Sequence, residues 1–386
     1  MKSQVNFLLQ FLFLFLGFCC VYSYFLYPLV LRMLPPRGTL NPPAELSEKV
    51  PSLSLIITAH NEASRIQSKL ENTLQLDYPG EQLEIIIASD CSTDETDEIV
   101  TRFHGRNVNL VRADTRKGKE YAQLCAIRQA RGDILVFSDV ATRLEASAMR
   151  KLARWFGNAE IGAISSVDHF ISQAGGEAGE GIYVRYEMWL RRLESSHAGL
   201  VGLSGSFFAA RRCVCENWDI SVPSDFNTAL NCARLNLTAI SCPDIIGNYE
   251  DVKDPDLEYR RKLRTVIRGM AAIAQHPEVL NPLRMGLFAF QIWGHKIMRW
   301  GVPWFMLGFL GLSLALVDRH WFYALATFAQ FLFYMAAMLG HVFKYLRAHT
   351  LFKIPYFFVQ VNIAILHATL QFICGRRITV WEPSRR

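Results

Sequence analysis

The sequence predicts an α/β domain built on a mostly parallel sheet and held between transmembrane helices at both ends. Three observations predict it. An uncharged apolar run, residues 6–31, opens the chain, and apolar runs return after about residue 286. Between them, four short β-rich stretches alternate with helix-spaced segments from Pro51 to Asp139. Strand, helix, strand, helix at short spacing is the pattern of parallel strands joined by crossover helices.

The 386 residues suffice for one catalytic domain plus membrane segments. Hydrophobic residues make up 51% of the chain and the net charge is +6. The basic residues flank apolar stretches or sit in one short cluster, which points to lipid headgroups and a diphosphate. No RNA-binding or helix-turn-helix signature is visible, which argues against nucleic acid. Nine cysteines occur without a CxxC pair and without His at metal spacing. They read as buried, reduced thiols of a cytosol-facing protein.

The elements follow in order. Residues 6–31 exceed the roughly 20 needed to cross a bilayer. The run is too long for a signal-peptide core and lacks a cleavage site, so it reads as a retained anchor over residues 1–33. Arg32 and Arg37 follow it, which favours a cytoplasmic, donor-facing position for what comes next. Residues 34–50 are a proline-rich linker, and residues 51–285 form the catalytic domain. Its strands are predicted at 52–59, 83–90, 108–113 and 133–139, with a helix over 118–131. Residues 286–386 hold interfacial and transmembrane helices with a basic tail. Spans are predicted at 302–317 and 321–343, divided by Asp318, Arg319 and His320. The segment 354–374 contains Pro355, Gln360, Asn362, His367 and Gln371, polar for a span. It is expected to lie along or re-enter the cytoplasmic face, leaving the WEPSRR tail near the catalytic domain. The alternative is a true span whose polar residues face a protein-lined groove.

In such sheets ligands bind beyond the carboxyl ends of the strands. The first strand ends in Thr58-Ala59-His60-Asn61-Glu62, where Asn61 suits an N-cap and Glu62 complements the helix dipole. The second ends in SDCSTDET, where Ser92 and Glu95 have capping-box spacing. That leaves Asp90 unexplained, and a carboxylate there can accept from the N–H of a uracil ring. Lys117 and Lys119 both oppose a helix dipole, which a nearby anion would explain. Asp139 closes the fourth strand, where a carboxylate can hold a divalent cation.

Taken in order, TAHNE, SDCSTDET, GKEYAQLCAIRQARGDILVFSD, GLSGSFFAARR, SD (224–225) and EYRRKLRTVIRG resemble the family-2 glycosyltransferases, which have the GT-A (Rossmann-like) fold. The resemblance covers about residues 50–270, and the flanking apolar segments are similar to the membrane-integrated branch of polysaccharide synthases and lipid-linked-acceptor transferases. It implies that Thr58, Glu62 and Asp90 hold the nucleoside and that Lys119 belongs to the donor pocket. It implies that Asp139 binds a magnesium or manganese ion and the donor diphosphate. Ser204 and Gly205 match the loop between donor and acceptor, and Asp225 matches the general base of inverting members. Arg260, Arg261 and Arg264 fall where the family places a diphosphate-binding motif. Arg260, Arg264 and Arg268 also share one helix face, which could instead lie on anionic lipid.

The sequence departs from the family in three places. The metal motif reads Asp139-Val140-Ala141, so its second carboxylate is absent. The Gln and Trp of the family's Q-x-x-R-W motif are absent, and Ser224 stands where an acid usually precedes the base. The expected activity is an inverting, single transfer from a nucleotide sugar, UDP-linked by expectation, to a membrane-associated lipid or glycan acceptor. A processive polysaccharide synthase and an inactive, nucleotide-binding subunit remain as alternatives. Sugar, acceptor and oligomeric state are open.

Overall fold

Continuous apolar runs make the strands that carry the site. The computed structural model describes residues 2–38, 40–42, 50–171, 182–250 and 255–376. These divide into two units: 34–254 with 268–291, and 2–33 with 255–267 and 292–376. The WEPSRR tail and most of the linker lie outside the described residues.

The first unit is built on eight strands. They are β1 (Leu53–Ala59), β2 (Leu83–Ser89), β3 (Val108–Arg112), β4 (Ile134–Asp139), β5 (Arg143–Leu144), β6 (Ile161–Ile171), β7 (Phe207–Arg211) and β8 (Thr238–Glu250). The first four lie within a residue of their predicted positions, and the helix Lys119–Gln129 lies inside its predicted span. The sheet order is β3-β2-β1-β4-β7-β6-β8-β5. β1, β2, β3 and β4 pair in parallel, as expected. Beyond β4 the sheet becomes mixed: β7 runs antiparallel to both β4 and β6, and β5 antiparallel to β8, while β6 and β8 pair in parallel. Parallel pairings still outnumber antiparallel ones, as a mostly parallel sheet requires.

β1 is buried along its whole length, as expected of a strand covered on both faces. Alternation sends Leu55 and Ile57 to one core and Ile56 to the other. The first core packs Ile66 and Leu70 of the helix Ala63–Leu74, and Met149 and Leu152 of the helix Ala148–Phe156. The second packs Ala122 and Ala126 of Lys119–Gln129. There Phe137 stacks between Phe208 and Trp218, at centroid distances of 4.8 and 4.9 Å. All nine cysteines are free. Burial pushes the thiols of Cys215 and Cys232 upward, whereas Cys213 is exposed.

Among the described residues the second unit contains four helices long and apolar enough to cross a membrane: Phe7–Met33, Leu287–Leu316 (which enters this unit at Ile292), Trp321–Val342 and Thr350–Ile373. Many large apolar side chains on them are exposed, among them Phe7, Phe11, Phe328 and Met338, as lipid-facing surfaces require. Inside the bundle Phe13 meets Phe309 at 4.7 Å and Tyr323 at 5.0 Å. The last helix is long and apolar enough to cross, by length and composition, as the spanning alternative requires. Its 24 residues are continuous, about 36 Å at 1.5 Å per residue, against a hydrocarbon core of about 30 Å. Several of its polar groups find partners in this unit, while Asn362 Oδ1 and Gln371 Oε1 are buried without one among the described residues. Asn362 donates to the Phe358 carbonyl (2.9 Å), Thr369 accepts from Trp304 Nε1 (3.1 Å), and His367 bonds Tyr259 (3.0 Å) and Gln371 (2.6 Å).

One contact of the sheet tests its packing. Gly132 leads into β4, and its N–H donates to Ser54 Oγ at 2.7 Å. A Cβ there would lie 2.5 Å from the Ser54 backbone nitrogen and 2.6 Å from the Leu53 carbonyl carbon. Backbone on a buried strand cannot yield as a flexible side chain can. Gly132→Ala is expected to cost about 1–3 kcal/mol, the range for overpacking, read as a lowered thermal midpoint in detergent; an unchanged midpoint would show that β1 and β4 can separate locally.

Candidate active site

The strand ends come together where the sequence placed them. Thr58 lies opposite Asp139 in the β1–β4 register, and Ala59 opposite Ser89 in the β1–β2 register. The two turns that follow interlock. Asn61 (φ 52°) donates its N–H to Ser92 Oγ and accepts from the Thr93 N–H at 2.8 Å. Asn61 is therefore not the cap of the next helix; Glu62 occupies that position, with its N–H bonded to Thr96 Oγ1 at 2.8 Å. The capping box of Ser92 and Glu95 does not form either. Asp94 serves both helices, accepting from the Ala63 and Thr96 N–H groups at 3.1 and 3.0 Å.

Asp90 is fully buried just after β2. Its Oδ1 accepts from the Gly118 N–H at 3.1 Å, and its backbone carbonyl accepts from His60 at 2.7 Å. Gly118 needs to be glycine because its φ is 100°. Asp90 Oδ2 and Thr58 Oγ1 are buried and without a partner among the described residues. Buried polar atoms are normally paired, so two unpaired ones at adjacent strand ends suit a ligand that offers a donor.

The second half of the site centres on Lys119, which is 8% exposed. Its Nζ donates to Asp139 Oδ1 at 2.5 Å and to the Gly205 carbonyl at 2.7 Å. A Cβ on Gly205 would lie 3.1 Å from Asp225 Oδ2, so the Asp225 carboxylate faces the same loop. Asp225 stands in the first turn of the helix Ser224–Arg234. Ser204 donates from Oγ to Asp168 Oδ1 at 2.6 Å, which holds the preceding residue of that loop. The anion that the two lysines called for is Asp139 in the case of Lys119; Lys117 instead lies over the Tyr121 ring at 4.6 Å.

Among the described residues no three His, Cys, Asp or Glu side chains are grouped to hold a metal ion. Asp139 offers one carboxylate, about a quarter exposed, with one oxygen on Lys119. Its chemistry fits a divalent cation that takes its other ligands from phosphate and water.

One feature escaped the sequence. Lys69 is buried on the apolar stripe of the helix Ala63–Leu74, with Ile66, Leu70 and Thr73. Its Nζ donates to Ser138 Oγ (2.7 Å) and the Thr142 carbonyl (2.6 Å), clamping the turn that carries Asp139. A lysine inside an i, i+3, i+4, i+7 stripe was the available signal. Arg268 corrects an expectation: it is not on an exposed basic face but buried in a 2.7 Å ion pair with Glu120. Arg260 and Arg261 are exposed, and with Arg264 they belong to the unit that holds the membrane helices.

Comparison with known proteins agrees with this geometry. Residues 54–215 match the family described as "Glycosyl transferase family 2". The probable glycosyltransferase YdaM of Bacillus subtilis (strain 168) is 31% identical over 121 residues, 30% of this chain and 29% of that protein. The poly-beta-1,6-N-acetyl-D-glucosamine synthase of Staphylococcus epidermidis is 29% identical over 120 residues, 31% of this chain and 29% of that protein. The chain thus spans under a third of the length of these curated relatives. A solved structure of the mannosyltransferase PcManGT from Pyrobaculum calidifontis, in complex with GDP-Man and Mn2+, is similar with a TM-score of 0.72. Its sequence identity is 20%, covering 96% of this chain and 100% of that one. The mixed sheet is accordingly of the GT-A type, flanked by apolar helices.

Burial lowers the pKa of Lys69 to about 7, against the opposing pull of Asp139. The unfolded chain keeps that proton up to about 10.5. Between these values the unfolded state binds more protons, so stability rises with pH across the window and is lowest below it. In thermal unfolding from about pH 7 to about pH 9.5, the wild type is expected to gain on Lys69→Met. Parallel pH curves would show that Lys69 stays charged in the folded domain.

Proposed function

Because residues 54–215 form a glycosyl transferase family 2 domain, we propose that the chain transfers a sugar, with inversion, from a nucleotide donor to a membrane-associated acceptor. The observation that carries the reading is the meeting of Lys119, Asp139, Gly205 and Asp225 beside two unpaired buried acceptors, Asp90 Oδ2 and Thr58 Oγ1. Asp90 takes the imide N–H of the base, as uracil offers. Thr58 and Glu62 complete the nucleoside side. Lys119 and Asp139 face the diphosphate, and Ser204 and Gly205 line the junction with the acceptor. Asp225 takes the proton of the acceptor hydroxyl as it attacks the anomeric carbon. When bound at Asp139, a divalent magnesium or manganese ion supplies charge neutralisation to the diphosphate.

The relatives include a synthase of a β-linked polymer. The four candidate spans among the described residues are few to line a polymer channel, which favours single addition over processive synthesis in this reading. The catalytic unit lies in the cytoplasm, where nucleotide sugars are made, and the membrane helices hold it beside its acceptor.

A thermal-shift panel of UDP-glucose, UDP-N-acetylglucosamine and GDP-mannose, with and without manganese, tests the donor reading, since a bound donor stabilises by mass action. Asp225→Asn is expected to lower transfer by about 10²–10⁴-fold, the contribution of general acid–base catalysis, with nucleotide affinity held within a few fold. Equal loss of affinity and rate would make Asp225 a donor ligand instead.

Topology follows from the same reading. A cytoplasmic catalytic unit followed by three complete spans leaves Cys374, which is exposed just after the last helix, outside the cell. The basic loop from Lys344 to Lys353 then returns to the cytoplasm, in keeping with positive-inside bias. An impermeant maleimide on intact cells, with the other reactive thiols replaced, is expected to label Cys374. Labelling only after permeabilisation would mean that Thr350–Ile373 does not cross or that the catalytic unit faces out.

A further inference from the structure

Glu120 and Arg268 form a buried ion pair that no part of the donor chemistry uses. Glu120 is 2% exposed and Arg268 7%. One Arg268 terminal nitrogen lies 2.7 Å from Glu120 Oε1. The same oxygen is within hydrogen-bond reach, 3.4 Å, of the Ser224 N–H. Ser224 opens the helix that bears Asp225, and the residue before it, Pro223, gives that helix no side-chain cap. Glu120 therefore serves the first free N–H of the Asp225 helix from another element. The Glu120 backbone carbonyl is fixed in turn by Trp218 Nε1 at 3.0 Å.

Glu120 is also the neighbour of Lys119. Two consecutive residues at one helix start thus serve different halves of the site. Lys119 reaches Asp139 and the Gly205 carbonyl, while Glu120 reaches the start of the Asp225 helix. Asp225 in turn closes on Gly205, with its backbone carbonyl accepting from the Leu203 N–H at 3.2 Å. The contacts make a closed circuit from donor anchor to base. An ion pair taken wholly out of water contributes little net stability and is often replaceable by apolar residues without loss. Glu120 Oε2 and Arg268 Nε lack partners among the described residues, which raises its cost further.

We propose that Glu120 and Arg268 are positioning residues that hold the Asp225 helix in register with the Lys119 donor anchor. The inference rests on the reading of Asp225 as base. Glu120 accepts the Ser224 N–H, Arg268 fixes the Glu120 carboxylate, and the spacing between leaving group and base is set by one dipeptide.

The test uses the full chain in native membrane vesicles, which supply the acceptor. It measures nucleoside diphosphate released from whichever of the three donors stabilises the chain most, and affinity for UDP and GDP by calorimetry. Glu120→Gln and the double variant Glu120→Gln/Arg268→Met are compared with Asp225→Asn. Misplacement of a reacting group by about 1 Å costs on the order of 10²-fold. Both variants are expected to lose about that much turnover at saturating donor, with UDP or GDP affinity within about three-fold. The double variant, free of the lone buried charge, should recover the thermal midpoint but not the rate. Recovery of both midpoint and rate, or an unchanged rate in Glu120→Gln, would overturn the proposal. If the double variant does not fold, Arg268→Lys decides: rate lost at unchanged affinity supports positioning, and full rate overturns it. An Asp225→Asn chain that keeps its rate marks failure of the base reading, whereas loss in Asp225→Asn alone marks failure of the positioning pair.

Discussion

The ammonium group of Lys119 is the point on which the site depends. It sits at 2.5 Å from Asp139 Oδ1 and 2.7 Å from the Gly205 carbonyl, so it joins the end of β4 to the loop before β7. Those two segments are also neighbours in the sheet, where the chain turns from parallel to antiparallel pairing. Without a positive charge between them, a carboxylate and a carbonyl would face each other at low exposure with nothing to offset the repulsion. Lys119 can stand there only because Gly118 takes a positive φ and hands its N–H to Asp90. The Asp90 turn, the end of β4 and the Gly205 loop are thereby fixed relative to one another by a few residues around one helix start.

The first half of the sheet was legible because each strand is a short, uninterrupted apolar run and each is followed by a helix with its own periodicity. β1 and β4 are such runs, and their polar ends fall in register as the pattern required. β6, β7 and β8 were not legible. Ser165, Ser166 and Asp168 interrupt β6, and two register shifts separate it from an ideal ladder with β8. No alternation survives there, because the side chains serve the Ser204 loop and not a uniform core. The caps misled for a related reason. Asn61 and Ser92 have the composition of caps, yet they bond each other's turns across two strands. Local spacing cannot register a partner that the sheet brings from thirty residues away.

Polar residues in the membrane unit are partly paired within it. Counting Asn362, His367 and Gln371 against the last helix assumes that they meet lipid. Each makes at least one hydrogen bond within the same unit, while Asn362 Oδ1 and Gln371 Oε1 stay unpaired among the described residues. Ser313 and Gln330 show the same solution on the neighbouring helices, with Gln330 Nε2 donating to Ser313 Oγ at 2.6 Å. In hydrocarbon such pairs hold two helices in one register, since an unpaired amide has no water to turn to.

Charge explains the departures from the family pattern better than loss of function does. Ala141 and Ser224 each remove a carboxylate from the neighbourhood of the strand ends. Lys119 places an ammonium group on Asp139, and Lys69 donates two hydrogen bonds to the turn that carries it. Burial lowers the pKa of Lys69 to about 7, so an anion entering beside that turn would return it to its charged form. Fewer fixed anions leave this strand end less negative than a pair of carboxylates would. In the proposed reaction a diphosphate brings negative charge to this place, and preorganised charge stabilises it without reorganisation.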